Sequence, residues 1–229
     1  MKFKAVIFDL NGTLIDTFSQ SEYESVLGEM ATILKAPHDE FIKSWFDTFR
    51  ERITGTLDAP PGIVKYICDK LNIGATEGEI KRATKVRLDY TINNMIPRPG
   101  SIELITSLKS VGYKIGLISD CSIETPKIWP DTVFAPLFDV TIFSCVVGIK
   151  KPNPLIYLKA IEQLGVVPQE CLYIGDGESQ ELTGALRVGM NPVLLRMSDK
   201  TTDKYFLERE ECWNGPVIES FEEVWHLLE

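Results

Sequence analysis

Four short stretches place carboxylates, a hydroxyl and a lysine directly at the ends of apolar runs. The first is Phe8-Asp9-Leu10-Asn11-Gly12-Thr13-Leu14, a carboxylate followed by a glycine turn that surrounds it with backbone N–H groups. The second, Leu117-Ile118-Ser119-Asp120, ends in a hydroxyl and an acid. In the third, Gly148-Ile149-Lys150-Lys151-Pro152-Asn153-Pro154, Lys151 stands just before an expected helix N-terminus. That end of a helix disfavours a cation, so Lys151 needs an anionic partner. The fourth runs from Tyr173 to Glu181 and crowds Asp176, Glu178 and Glu181 together. Such acids repel one another unless a divalent cation bridges them.

Taken singly, each stretch has a plain structural reading: a turn-capping Asp, a hydroxyl in a turn, a solvated lysine, an exposed acidic run. Together they describe one site. Oxygen ligands from Asp9, Asp176 and Glu181 suit Mg²⁺. Ser119 and Lys151 can hold the oxygens of a phosphoryl group, which leaves Asp9 as a nucleophile able to form an aspartyl-phosphate.

These residues need elements that bring them to one place. Residues 3–8, 114–119, 140–144, 171–175 and 192–196 are continuous apolar runs rather than alternating ones, as expected of parallel strands buried on both faces. Residues 100–111 carry Ile102, Ile105 and Leu108 at helical spacing, with Gly112 closing the segment. Asn153 and Pro154 open a second helix that Gly165 ends. From about residue 98 the alternation predicts an α/β fold, a Rossmann-like doubly wound parallel sheet. Residues 16–96 break the rhythm with consecutive helices over 19–34, 39–53, 62–71 and 77–93, separated by a linker at 54–61 and a turn at 72–76. The expected domains are therefore a core of 1–15 with 97–229 and an inserted all-helical cap of 16–96. The insertion departs from the carboxyl end of the first strand, where ligands of such sheets bind, so the cap should sit over the site.

Composition narrows the class. The 229 residues carry 24 Lys and Arg against 33 Asp and Glu, a net charge of −9 that argues against nucleic acid as a partner. No apolar run approaches the length of a membrane span, and the opening residues run into Asp9 and Gly12 without the small-residue cleavage site of a signal peptide. Five cysteines without a CxxC pair fit a reducing cytoplasm. Two histidines, His38 and His226, leave little material for a Ser-His-Asp triad or a histidine metal site.

In their order, the four stretches resemble those of the haloacid dehalogenase (HAD) superfamily, specifically phosphatase-like members with an inserted helical C1-type cap. The run Gly175–Ala185, followed by Val188-Gly189-Met190, is especially similar, and the likeness extends over about residues 4–196. The resemblance implies a Mg²⁺-dependent phosphomonoester hydrolase, monomer or homodimer, that acts on a small phosphorylated metabolite through a phospho-aspartate. It implies Asp9 as nucleophile and metal ligand, with the Asn11 backbone carbonyl, Asp176 and Glu181 completing the metal set or supporting it. Ser119 and Lys151 become the phosphate binders, with Asp120, Leu10 and Asn11 beside them.

One position departs from the pattern. Family phosphatases carry Asp where this chain has Asn11, and that Asp protonates the leaving alcohol and then activates water. An amide cannot exchange a proton near neutral pH. Three accounts of Asn11 stay open: an introduced Asp→Asn exchange in a phosphatase, a natural replacement that leaves a slow enzyme or a phospho-ligand sensor, and a likeness to the metal-independent dehalogenase branch. In the cap, Arg50, Arg52 and the Thr54-Gly55-Thr56 turn either reach a substrate's distal groups or are solvated. Trp45, Phe46 and Phe49 are expected in the cap's own core, and Trp129, Trp213 and Trp225 in packing.

Overall fold

The computed structural model describes residues 2–57, 60–197 and 212–228. Parts of the expected linker at 54–61 and of the expected core at 97–229 thus lie outside the described residues. Among the described residues, strands β1 (Ala5–Phe8), β2 (Lys114–Ser119), β3 (Val140–Phe143), β4 (Cys171–Gly175), β5 (Asn191–Leu195) and β6 (Val217–Ile218) form one sheet. Their order is β3-β2-β1-β4-β5-β6 and every pairing is parallel. The order reverses at β1, which lies between β2 and β4, so a crevice opens at the carboxyl ends of these strands.

Between β1 and β2 run helices α1 (Gln20–Leu34), α2 (His38–Asp47), α3 (Phe49–Ile53), α4 (Pro60–Lys70), α5 (Glu77–Asn94) and α6 (Ser101–Ser110). Later come α7 (Glu124–Ile128), α8 (Ser144–Val147), α9 (Pro154–Leu164), α10 (Glu181–Arg187) and α11 (Val224–Leu228). Alternate strand residues point into two different cores, which is why the strands read as unbroken apolar runs. Val6, Phe8, Leu117 and Ile174 pack with Leu104, Ile105 and Leu108 of α6, while Ala5, Ile7 and Tyr173 pack with Ile156, Ala160 and Leu164 of α9. The α9 ends follow their sequence signals: the Asn153 side chain accepts from Leu155 N–H at 3.0 Å, and Gly165 adopts φ 63°.

Helices α1, α2, α4 and α5 enclose a third apolar cluster of their own, around Leu27, Met30, Phe41, Trp45, Ile63 and Ile67. A capping box opens α5: Glu79 N–H donates to Thr76 Oγ1 at 3.3 Å and Thr76 N–H donates to Glu79 Oε2 at 2.8 Å. Lys35, the residue capping the end of α1, reaches the same Glu79 at 2.7 Å. The two chain crossings between this bundle and the sheet are fastened together. Arg98 N–H donates to Leu14 O at 2.8 Å and the Arg98 side chain pairs with Asp16 at 3.2 Å.

The short helices α7, α8 and α11 are unanticipated by the sequence reading, and two further elements differ from it. The helix expected over 39–53 breaks at Thr48, whose hydroxyl donates back to Trp45 O at 2.8 Å and so competes with the helical pattern. The edge strand β6 is unanticipated because two residues carry no readable periodicity. Among the described residues no helix is long and apolar enough to cross a membrane.

Candidate active site

Phe8 stands level with Leu117 on one side and Ile174 on the other, so Asp9 leaves the sheet beside the ends of both neighbours. Its N–H is still held by Ile174 O at 2.9 Å, and the carboxylate is buried. The turn after it is closed by Leu14 and Ile15 N–H groups, which donate to Leu10 O at 2.8 and 3.1 Å. Gly12 sits in that turn at φ 77°, and a Cβ there would strike the Asp176 carboxylate. Glycine therefore lets the loops after β1 and β4 touch, which brings Asp176 to Asp9.

Lys151, read as a cation in need of an anion, finds two. Its Nζ lies 2.5 Å from Asp9 Oδ1 and 2.6 Å from Glu181 Oε2. Glu181, wholly buried at the start of α10, also accepts from Tyr173 Oη at 2.8 Å and Gly177 N–H at 3.1 Å. Tyr157 Oη donates to the Glu181 carbonyl at 2.9 Å, fixing the backbone as well. A Cβ on Gly175 would collide with the Glu181 carboxylate, so that glycine makes room for it. The tyrosines are absent from the sequence reading because they occupy ordinary core positions on β4 and α9.

Carboxylate oxygens of Asp9, Asp176 and Glu181 all lie within 4.8 Å of one another. Three carboxylates against one ammonium leave two excess negative charges in a buried place. Burial raises Asp9 to about 6, and Glu181's charge pushes the same way against the pull of Lys151. Asp176 is driven well above the carboxylate range by burial, then by Glu181, Asp9 and Glu178. Burial opposes the charge on Lys151 too, but Asp9 and Glu181 outweigh it and hold its pKa well above normal. A divalent cation supplies the charge this oxygen set lacks, so the residues fit a hard metal such as Mg²⁺.

Ser119 ends β2 fully buried, and its hydroxyl has no hydrogen-bond partner within the protein. Asp120 follows it and lines the same cavity as Asn11, and its Oδ1 accepts from Lys151 N–H at 3.0 Å, tying the two loops together. Asn11 is half-buried and lines a cavity of about 100 Å³ beneath the helical bundle. Arg52 and Phe49 line it as well, whereas Arg50 is exposed and outside it. Phe49 is thus a cavity wall rather than part of the bundle's core, where Trp45 is fully packed. Arg87, Thr91 and Tyr23 complete the far side; nothing local in the sequence separates Arg87 from the solvated charges of α5.

The family model for haloacid dehalogenase-like hydrolases matches residues 3–189, and the chain belongs to that family. It is 24% identical over 193 residues to a glyceraldehyde 3-phosphate phosphatase of Pyrococcus abyssi, covering 83% of this chain and 80% of the other. It is 27% identical over 192 residues to a phosphoglycolate phosphatase of Aquifex aeolicus, covering 83% and 84%. The crystal structure of a HAD phosphatase from Thermococcus onnurineus superposes with TM-score 0.66 and 24% identity over 99% of this chain and 98% of that one, which shows the shared fold.

Proposed function

We propose that this hydrolase is a Mg²⁺-dependent phosphatase of a small phosphorylated metabolite, working through a phospho-aspartate at Asp9 and slowed by Asn11. The observation that carries the reading is the convergence of Asp9, Lys151, Asp176 and Glu181 at the carboxyl ends of β1 and β4. The phosphatase names of relatives that align over four-fifths of the chain support it.

Asp9, Asp176, Glu181 and the Asn11 carbonyl would hold Mg²⁺, which when bound offsets the charge of phosphate and carboxylates as they approach. A phosphomonoester places its phosphoryl oxygens between the Ser119 hydroxyl and the Lys151 ammonium. One Asp9 oxygen attacks phosphorus, a P–O bond forms on Asp9, and the P–O bond to the alcohol breaks. The leaving oxygen takes a proton, and water later attacks the phosphorus, releasing phosphate and restoring the Asp9 carboxylate. An Asp at residue 11 would give and take both protons; Asn11 can only orient the alcohol or water, so in this chain solvent water supplies the first proton and takes up the second, which slows both halves of the reaction.

Slow hydrolysis of the acyl phosphate should let it accumulate. Incubating the chain with 4-nitrophenyl phosphate and Mg²⁺, quenching in acid and sequencing by mass spectrometry is expected to place a phosphoryl group on Asp9. Phosphorylation of another residue, or of none, contradicts the reading. A second reading, a phospho-ligand sensor without turnover, is favoured by Asn11 alone and predicts binding with no phosphoryl transfer.

A further inference from the structure

The cavity beneath the bundle has two unlike ends. Asn11, Asp120 and Glu178 border it on the sheet side. Arg52 and Arg87 border it on the cap side, only 2% and 5% exposed. Arg52 stacks 4.7 Å from the Trp45 ring and donates Nη2 to Trp45 O at 3.2 Å. Arg87 lies 5.1 Å from the Tyr23 ring and donates Nη1 to Thr91 Oγ1. These contacts orient both guanidinium groups, yet the Nε of each is buried without a hydrogen-bond partner.

The nearby anions do not balance them. Glu124, on α7 and 1% exposed, is pushed up by burial but held below the usual carboxylate range by Arg87, a Ser122 hydrogen bond and Arg52 together, and its Oε2 is also unpartnered. At the cap end two guanidinium groups face one carboxylate, while Asp120 and Glu178 stand at the sheet end. Buried charge of that kind is costly unless a counter-charge joins it. A guanidinium fork matches a planar carboxylate, and the cavity of about 100 Å³ has room for such a group.

The geometry points to a second binding end for substrate: Arg52 and Arg87 take a carboxylate carried at the end of the substrate remote from its phosphate. This rests on the reading of Asp9 and its neighbours as the phosphate end. It makes the two arginines specificity-determining, selecting short phosphorylated acids over phosphate esters whose far end is neutral.

Calorimetric titration with Mg²⁺ present can separate the two ideas, using 3-phosphoglycerate, glycerol 3-phosphate and inorganic phosphate. The two esters differ in carrying a carboxylate or a hydroxymethyl at the far end. The carboxylate ester is expected to bind at least about tenfold tighter than the neutral one, as a charge-assisted contact gives. That ratio should shrink in Arg52→Gln and Arg87→Gln and grow in Glu124→Gln, which removes the opposing charge. Equal affinity for the two esters in the unmodified chain, with phosphate still bound, overturns the carboxylate end alone. Binding of none of the three overturns the phosphate end and this inference with it. Because the decisive comparison is made in the unmodified chain, an arginine variant that fails to fold does not weaken it.

Discussion

The sheet edge and the cap face of the same cavity solve the burial of charge in opposite ways. At the sheet edge Lys151 is shared between Asp9 and Glu181, and Glu181 is further held by Tyr173 and the Gly177 N–H. At the cap face two arginines lie against aromatic rings, with Nε groups unpartnered and one carboxylate nearby. The first is a cross-braced anionic pocket suited to a cation. The second is a stacked cationic wall suited to an anion.

The largest expected effect comes from removing the nucleophile. Asp9→Asn in an Asn11→Asp background should reduce turnover of an aryl phosphate by on the order of 10³-fold or more, read as initial rates of phenolate release. Remaining turnover at the Asn11→Asp level would break the assignment of the sheet edge as the reacting end.

Next is the brace itself. Lys151→Met leaves Asp9 and Glu181 buried without their cation, and breaking a buried pair costs about 3–5 kcal/mol. Denaturant unfolding without metal should show that loss, with Mg²⁺ recovering part of it. An unchanged midpoint would mean that the carboxylates take up protons instead.

Proton uptake gives a sign that can be checked. The folded-state pKa of Asp9, about 6, lies above its ordinary 3.8, so the folded protein holds this proton more tightly than the unfolded chain. The metal-free protein should therefore lose stability from this group as pH rises from about 4 to about 6. Mg²⁺ requires the ionised form, so the thermal shift it produces should be larger at about pH 7 than at about pH 5. A metal shift that grows on acidification would contradict the placement of Asp9 in the ligand set.

The smallest effect lies in the bundle, away from the cavity. Thr76→Ala removes the capping box of α5 and should cost about 1 kcal/mol. Glu79, hydrogen-bonded by Lys35 and by Thr76, is pulled down to about 2, below its ordinary 4.5. Its contribution is present above pH 4.5 and lost as pH falls toward 2, so Glu79→Gln should flatten acid unfolding in that window. Neither variant should alter the preference between charged and neutral esters.

The same contrast explains what could be read before the fold was known. Asp9, Ser119 and Asp176 sit at the ends of apolar runs and Lys151 just before a helix cap, so local pattern alone locates the first three at strand ends and the fourth at a helix start. The helical insertion was legible as consecutive helices, and the parallel sheet as runs without alternation. Arg52 was visible only as a charge beside Arg50; burial separates them, and burial depends on how α3 folds back against Trp45 of α2. Arg87 and Glu124 lie 37 residues apart, on α5 and α7, and no spacing rule links them. Tyr173 and Tyr157 read as core because their rings are core; only their hydroxyls reach Glu181. The break at Thr48 hinged on one hydroxyl choosing a backbone carbonyl, which competes with helix geometry at a cost too small to read from pattern.

The central claim is that this is a phosphatase scaffold whose acid–base position is occupied by Asn11. Initial rates with 4-nitrophenyl phosphate and Mg²⁺, compared between the chain as it stands and Asn11→Asp, test it most directly. The account predicts a rise of about 10²–10⁴-fold, the typical worth of general acid–base catalysis. An Asn11→Asp protein that folds, binds phosphate and turns over no faster would contradict it.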